Sequence, residues 1–339
     1  MSRVMVMMSG GVDSSVAAAL LRDEGHEVTG VTLKLWGGET DSGCCSVADV
    51  EDARRVAAQL GIPHYVFNFS EGFDEHVVAP YVDAYEAGAT PNPCVECNRT
   101  MKFGRALERA AQLGFDLVAT GHHARVVPTA HGPALARAVD TAKDQSYVLY
   151  MLDAAALART LLPIGELTKA EVRKRARALG LRTADKRESM DVCFITRGGR
   201  EAFLGARIAR REGMIVDTEQ RVVGAHDGID AFTIGQRRGL GVAVGERRYV
   251  VDISSADATV TVGTRDALLR DRVRVRDLLL TRALPGGFLA QVRAHSEPVA
   301  ARLDGHDVVF DVPQPRVAPG QVVALYDGDL CCGGGIVAA

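Results

Sequence analysis

The residues best equipped for chemistry fall in three short stretches. "TPNPCVECNRTMKF" (90–103) carries Cys94 and Cys97 in C-x-x-C spacing, "KRESMDVCFI" (186–195) carries Cys193, and "SGGVDSS" (9–15) sets Asp13 among glycines and serine hydroxyls. A C-x-x-C pair can serve as half of a zinc site, a redox disulfide, part of an iron–sulfur ligand set or a reaction centre. A structural zinc site needs a second ligand pair, and the chain holds no further C-x-x-C and no closely spaced pair of histidines at H-x3–5-H. The thiolate is the reactive form of cysteine, and a helix N-terminus favours it. A helix expected to begin at Asn98 would place Cys97 just before its start and lower the Cys97 pKa. Cys94 would lie on the extended approach that the Asn-Pro steps favour.

The "SGGVDSS" stretch answers a different need. Glycines let the backbone come close to a ligand, and the first N–H groups of a helix, with its dipole, make an anion site. The G-K-[ST] ending of a Walker A loop is missing, as is the G-x-G-x-x-G of dinucleotide sites.

Positioning these groups requires regular elements, and the first half of the chain alternates between the two kinds. Strands are expected at 4–8, 27–36, 64–69 and 116–124. Helices are expected at 12–24 (closed by Gly25), 46–60 (Ser46 as N-cap, Gly61 after the end), 98–113 (ending at Gly114) and 168–180 (capping box Thr168–Glu171, closing Gly180). Such alternation predicts a parallel sheet covered by helices. From about residue 196, short Val-rich runs separated by Gly, Asp and Pro predict one or two small β-barrels, with a single helix-length run near 200–211. The expected division is 1–195, 196–264 and 265–339, an α/β domain followed by two β-barrel domains.

Composition sets the class. With 47% apolar and 24% charged residues the chain reads as an ordinary soluble globular protein. No segment approaches the roughly 20 apolar residues of a membrane span, so no membrane partner is expected and the protein is placed in the cytoplasm. Seven cysteines make an odd set for a secreted disulfide framework and point to metal or catalytic use. The net charge of −3 announces no nucleic acid. Residues 169–187, however, hold Lys169, Arg173, Lys174, Arg175, Arg177, Arg182, Lys186 and Arg187 against Glu171 and Asp185. That run is either a solvated helix face or a surface for phosphates.

The loop after the first strand resembles the S-G-G-x-D-S mark of the PP-loop ATP pyrophosphatase superfamily, whose members split ATP to AMP and pyrophosphate. The resemblance sharpens along the whole chain. "MSGGVDSSVAA" (8–18), "GCCSVADVEDAR" (43–54), "AGATPNPCVECNRTMKF" (87–103), "ATGHHARV" (119–126), "KDQSYVLY" (143–150), "ESMDVCFI" (188–195), "FTIGQRRGLGV" (232–242) and "PGQVVALYDGDLCCGGGIV" (319–337) occur in the order seen in the MnmA/TrmU family of tRNA-specific 2-thiouridylases. That resemblance implies a Rossmann-like PP-loop domain and two small β-barrels. It also implies ATP, with Mg2+, held by Met7, Met8, Ser9, Gly10, Gly11, Val12, Asp13 and Ser14 together with Leu33 and Gly121. Asn92, Pro93 and Cys94 would face the target base. Lys143, Asp144 and Gln145 would touch tRNA, with Arg237, Arg238 and Arg293 as further contacts. Cys193 would carry a persulfide and Cys97 would be the second thiol, ending in a Cys97–Cys193 disulfide. The partners implied are the tRNAs for Lys, Glu and Gln and a cysteine desulfurase or sulfur-relay protein as donor.

The chain departs from the family at three places. Cys94 stands where an acidic residue is common, "ESMDVCFI" replaces "DSTGICFI", and Ala294 follows Arg293 where an aromatic is common. Three thiols at 94, 97 and 193 leave open a [4Fe–4S] cluster with one iron free to carry hydrosulfide. Two readings of other classes are a PP-loop amide-forming ligase and a cysteine-based redox sensor that binds nucleotide. Cys44 and Cys45, and the barrel residues Cys331 and Cys332, read as packing residues. Of His122 and His123, either one lines the nucleotide pocket or both serve local hydrogen bonds.

Overall fold

A computed structural model describes residues 1–36, 46–187, 192–195, 199–242, 246–294 and 296–339; Cys44 and Cys45 lie outside them. The chain forms two compact units. The first comprises 1–78, 93–197 and 329–332, and the second comprises 79–92, 198–328 and 333–339.

In the first unit, β1 (Arg3–Met7), α1 (Val12–Asp23), β2 (Glu27–Lys34), α2 (Val47–Leu60), β3 (His64–Asn68) and β4 (Leu117–Ala119) follow the expected alternation. Among the described residues a parallel five-stranded sheet forms in the order β3–β2–β1–β4, then Thr160–Leu161. Val4, Met5 and Val6 have no solvent exposure, as a central strand covered on both faces requires. On the edge strand β3, Tyr65 and Val66 stay exposed. The strand order reverses at β1, which pairs with β2 on one side and β4 on the other. The carboxyl ends beside such a reversal form the crevice where α/β sheets bind ligands. The loop 8–15 leaves β1 there, and Gly121 follows β4 at the same edge.

The helices are set by local chemistry. Ser46 Oγ accepts from the Asp49 amide at 3.1 Å to start α2, and Gly61 ends it at φ 68°. Lys169–Ala178 carries the full capping box, with Thr168 and Glu171 satisfying each other's amides. The cysteine helix departs from expectation. It begins at Pro93 rather than Asn98, makes one turn to Glu96, runs as a π-helical stretch over Cys97–Arg105 and continues as Ala106–Gln112. Proline suits the first helical position because its missing N–H would have no partner there. Thr100 Oγ1 bonds back to the Glu96 carbonyl at 2.7 Å, just where the wider turn begins.

In the second unit, Tyr249–Ser254, Thr259–Gly263, Gly213–Asp217 and Val222–His226 form a four-stranded sheet around Ile215, Val250, Val260 and Val262. A six-stranded barrel follows in the order Leu269–Leu280, Asp307–Pro315, Val299–Asp304, Phe288–Gln291, Val322–Asp327 and Leu330–Val337, closed by pairing of Val275 with Val337. Closure leaves no free edge, and Val273, Phe288, Val308, Phe310, Val323 and Leu325 fill the interior. The α/β-then-β-barrel architecture expected from the sequence is the one observed. Cys331 and Cys332 are buried in the last strand. Among the described residues no helix is long and apolar enough to cross a membrane.

Candidate active site

The loop between β1 and α1 is tied shut by its own hydroxyls. Ser14 Oγ accepts from the Ser9 amide at 3.2 Å, and the Ser14 and Ser15 hydroxyls donate to the Gly11 carbonyl at 3.3 and 2.7 Å. Gly10 sits at φ +73°, and a Cβ there would lie 2.2 Å from the Asp49 carbonyl oxygen, so only glycine fits. Gly11 is the N-cap of α1 and supplies no side chain to cap it, which leaves the first amides of the helix for an anion.

Asp13 is held by two groups that the sequence pattern did not connect to it. Lys169 Nζ, from the start of its helix, donates to both carboxylate oxygens at 2.8 and 2.6 Å, and His123 Nε2 lies 3.3 Å away. Burial alone would raise this carboxyl. The hydrogen bonds from His123 and Lys169 and the Lys169 charge outweigh it and hold Asp13 below its ordinary value. Gly121 packs flat on α1, where a Cβ would come 2.5 Å from the Ser14 amide nitrogen. His122 is buried, with Nδ1 2.7 Å from Thr120 Oγ1 and Nε2 3.4 Å from Lys102 Nζ. Burial, with the Lys102 and His123 charges, pushes its pKa well below the usual value. An ammonium only donates, so Nε2 accepts and the Nδ1 proton goes to Thr120. His122 thus makes a local bond to Thr120, whereas His123 reaches Asp13 of the phosphate loop. Met7, Met8 and Leu33 are buried at the ends of β1 and β2.

The thiols occupy three different settings. Cys94 is exposed, Cys97 is buried and Cys193 is half-buried. Because the helix starts at Pro93, its first turn holds Cys94, so the expectation that Cys97 stands at the helix start is corrected. Asn98, next to Cys97, is buried and donates to the Val148 carbonyl at 3.0 Å. Phe194, next to Cys193, is buried between Trp36 and Phe73, with ring centroids 6.1 and 5.8 Å away. Among the described residues no three His, Cys, Asp or Glu side chains converge to hold a metal. Cys94, Cys97 and Cys193 are all described, so they do not form the ligand set that a [4Fe–4S] cluster requires.

The expected RNA-facing residues divide by exposure. Asp144 is buried and accepts from the Ala138 and Ser146 amides at 2.9 and 3.2 Å, from the Ser146 hydroxyl at 2.7 Å and from Arg137 Nε at 3.3 Å. Its neighbours Lys143 and Gln145 are half-buried and exposed. Gln145 Oε1 accepts from the His123 amide at 2.9 Å, which ties this turn to the loop after β4. Asn92 is half-buried and Pro93 is buried. In the second unit Arg237, Arg238 and Arg293 are exposed. Gln236 closes their loop, accepting from the Thr233 amide and donating to the Arg238 carbonyl, each at 3.0 Å. A cavity of about 580 Å³ in this unit is lined by Arg200, Arg293, Thr90, Thr233, Gln236 and Gln321, among others.

Part of the basic run turns inward and part makes surface ion pairs. Lys169 serves Asp13. Arg173 donates to the Ala184 and Lys186 carbonyls, Arg177 pairs with Asp185, and Arg182 and Lys186 pair with Asp52. Only Lys169, Arg173 and Lys186 are drawn inward; Lys174, Arg175, Arg177, Arg182 and Arg187 remain exposed, the Arg177 and Arg182 pairs included. A lysine in the first turn of a helix opposes the dipole, and at Lys169 that was the one sequence signal of a specific anionic partner.

Comparison with known proteins gives a consistent assignment. Residues 2–197 match the family described as tRNA methyl transferase HUP domain. Residues 201–264 match the tRNA methyl transferase PRC-barrel domain, and 273–337 match the Aminomethyltransferase beta-barrel domain. Among full-length relatives, the tRNA-specific 2-thiouridylase MnmA of Roseiflexus sp. (strain RS-1) is 48% identical, with all of both chains covered. The protein of that name from Chloroflexus aggregans is 49% identical over 100% of this chain and 99% of its own. The one from Corynebacterium kroppenstedtii is 48% identical over 99% of this chain and 94% of its own. With identity of that order running end to end, the chain belongs to the MnmA family of tRNA-specific 2-thiouridylases.

Proposed function

We propose that the chain is a tRNA-uridine 2-sulfurtransferase. It places sulfur at C2 of the wobble uridine of the tRNAs for Lys, Glu and Gln and consumes ATP to AMP and pyrophosphate. The observation that carries this reading is the full-length identity to 2-thiouridylases, together with a phosphate loop at the sheet's switch point.

The C2 oxygen of uracil is a poor leaving group. In the first step it attacks the α-phosphorus of ATP, pyrophosphate departs and an O2-adenylate forms. The amides of Gly11 to Ser14 hold the pyrophosphate end, where charge accumulates, and Lys169 neutralises the Asp13 carboxylate that would otherwise repel it. Mg2+ would enter with the triphosphate and would neutralise part of its charge. Asp13 is already engaged by Lys169 and His123, so phosphate oxygens and water would be its main ligands.

In the second step the terminal sulfur of a Cys193 persulfide attacks C2 and AMP leaves, joining base and enzyme through a disulfide. The Cys97 thiolate then attacks Cys193 Sγ. The S–S bond to the base breaks, its electron pair stays on the departing sulfur as 2-thiouridine, and Cys97 and Cys193 are left oxidised as a disulfide. An external thiol reductant restores them, and a cysteine desulfurase or sulfur-relay protein reloads Cys193.

The wobble base lies in a loop, where a base can be splayed from its stack. Asn92, Pro93 and Cys94 face it in this reading. Lys143, Gln145, Arg237, Arg238 and Arg293 contact the tRNA, and buried Asp144 holds the turn that presents its neighbours. The test measures 2-thiouridine in tRNA and pyrophosphate release with the wild-type chain and with Cys193→Ser. The variant should release pyrophosphate and make no 2-thiouridine; production of ADP and phosphate by the wild type would sink the adenylation step.

A further inference from the structure

Lys186 is a basic residue that the proposed reaction does not use. Its Nζ donates to the Gly10 carbonyl at 3.0 Å, to Asp49 Oδ1 at 2.6 Å and to Asp52 Oδ2 at 2.7 Å. An ammonium has three N–H donors, so these three acceptors take all of them. Two are carboxylates on the first turns of α2, which packs on the core. The third is a backbone oxygen inside the phosphate loop.

That third bond fixes a peptide plane. In a trans peptide the carbonyl of one residue and the N–H of the next point in opposite directions. Holding the Gly10 carbonyl toward Lys186 therefore turns the Gly11 N–H the other way. Gly10 has no Cβ and sits at φ +73°, so rotation of the Gly10–Gly11 peptide meets little steric resistance of its own. A flipped peptide would aim a carbonyl oxygen, in place of an amide, at the position of a bound phosphate. Two carboxylates also neutralise the Lys186 charge, which suits an orienting role better than that of a phosphate ligand.

We propose that Lys186 is a positioning residue for the nucleotide: it locks the Gly10–Gly11 peptide with its amide facing the pyrophosphate end of ATP, using α2 as the anchor. The lock rests on the proposed binding of ATP by this loop. Lys186 also begins the segment that leads to Cys193, so one side chain fastens the root of the thiol segment to the phosphate loop.

The test titrates a non-hydrolysable ATP analogue into the full chain by calorimetry and follows the Gly11 amide by hydrogen exchange. Lys186→Met should bind the analogue roughly tenfold or more weakly, the scale of a lost hydrogen bond to a charged group, and its Gly11 amide should exchange faster. Asp52→Asn keeps the ammonium and loosens its anchor, so it should weaken the analogue by a smaller factor. If Lys186 were instead a direct phosphate ligand, Asp52→Asn would free its charge and tighten binding; that result overturns the lock. Unchanged affinity in Lys186→Met also overturns it while leaving the wider function intact. A wild-type chain that binds no analogue overturns the nucleotide reading and the lock together. Should Lys186→Met fail to fold, Asp52→Asn still decides through the direction of its change.

Discussion

The phosphate loop and the cysteine segments of the first unit are built on opposite plans. Around the loop nearly every polar group already has a partner: Ser9 with Ser14, Ser15 with Gly11, Asp13 with Lys169 and His123, and Gly10 with Lys186. The thiols stand one exposed, one buried and one half-buried, with no convergent ligand set among the described residues. The difference matches the two chemistries. Stabilising the charge of a leaving pyrophosphate requires dipoles fixed beforehand. The proposed sulfur relay needs a thiol that a donor can reach and a second thiol to complete the exchange.

The sharpest way to break this contrast is to remove one thiol. Cys193→Ser should lower 2-thiouridine formation by a factor of about 10³ or more, while ATP-analogue affinity stays within about twofold and stability within about 0.5 kcal/mol. A loss of nucleotide binding in that variant would show that the two halves are not separate. Gly10→Ala should act in the reverse way. A Cβ there would meet the Asp49 backbone, so thermal denaturation should show a loss of about 2–4 kcal/mol and nucleotide binding should vanish. Next in size is Lys169→Met, which leaves Asp13 without its cation and should weaken the ATP analogue by about 10–100-fold.

The pH dependence is a smaller effect with a defined sign. His122 has a folded pKa well below its unfolded value near 6.5. The unfolded chain therefore binds the extra proton first, and stability falls as pH drops from about 6.5. Asp13 also has a lowered folded pKa, so its contribution is intact above its ordinary value of 3.8 and is lost below it. Denaturant titrations from pH 7 to 3 should show the first loss vanish in His122→Asn, and a slope unchanged by that substitution would refute the assignment. The smallest effect belongs to the exposed arginines. Removing Arg293 or Arg238 should weaken tRNA binding at low salt and reduce the salt slope by about 0.7–0.9 per phosphate contact, leaving ATP affinity alone.

The legible parts were those that lie contiguously along the chain. "SGGVDSS" holds strand end, glycines and helix start within a few residues, and the Ser46 cap, the Thr168–Glu171 capping box and the closing glycines declare their helices locally. The β-barrels were legible from their Val-rich rhythm. What escaped notice depends on long-range approach. Lys169 reaches Asp13 across 156 positions and Lys186 reaches Gly10 across 176, while both sit in a run whose plain reading is a charged surface. The hairpin Ala124–Thr129 with Gly132–Arg137 was also missed, because the end of β4 reads as a loop when its new partner is unknown. For Cys97, proline's restriction on the residue before it points to a later helix start than the one observed at Pro93. Its suitability for the first helical position decided the start instead.

In the proposed relay, Cys97 and Cys193 exchange sulfur in the presence of ATP and tRNA. A single-turnover reaction answers it: persulfide-loaded chain, ATP and unmodified tRNA without reductant, with the protein digested under non-reducing conditions for mass spectrometry. The relay should yield about one 2-thiouridine and one pyrophosphate per chain together with a peptide pair joined through Cys97 and Cys193. Thiolated tRNA formed while both cysteines remain unlinked would contradict it.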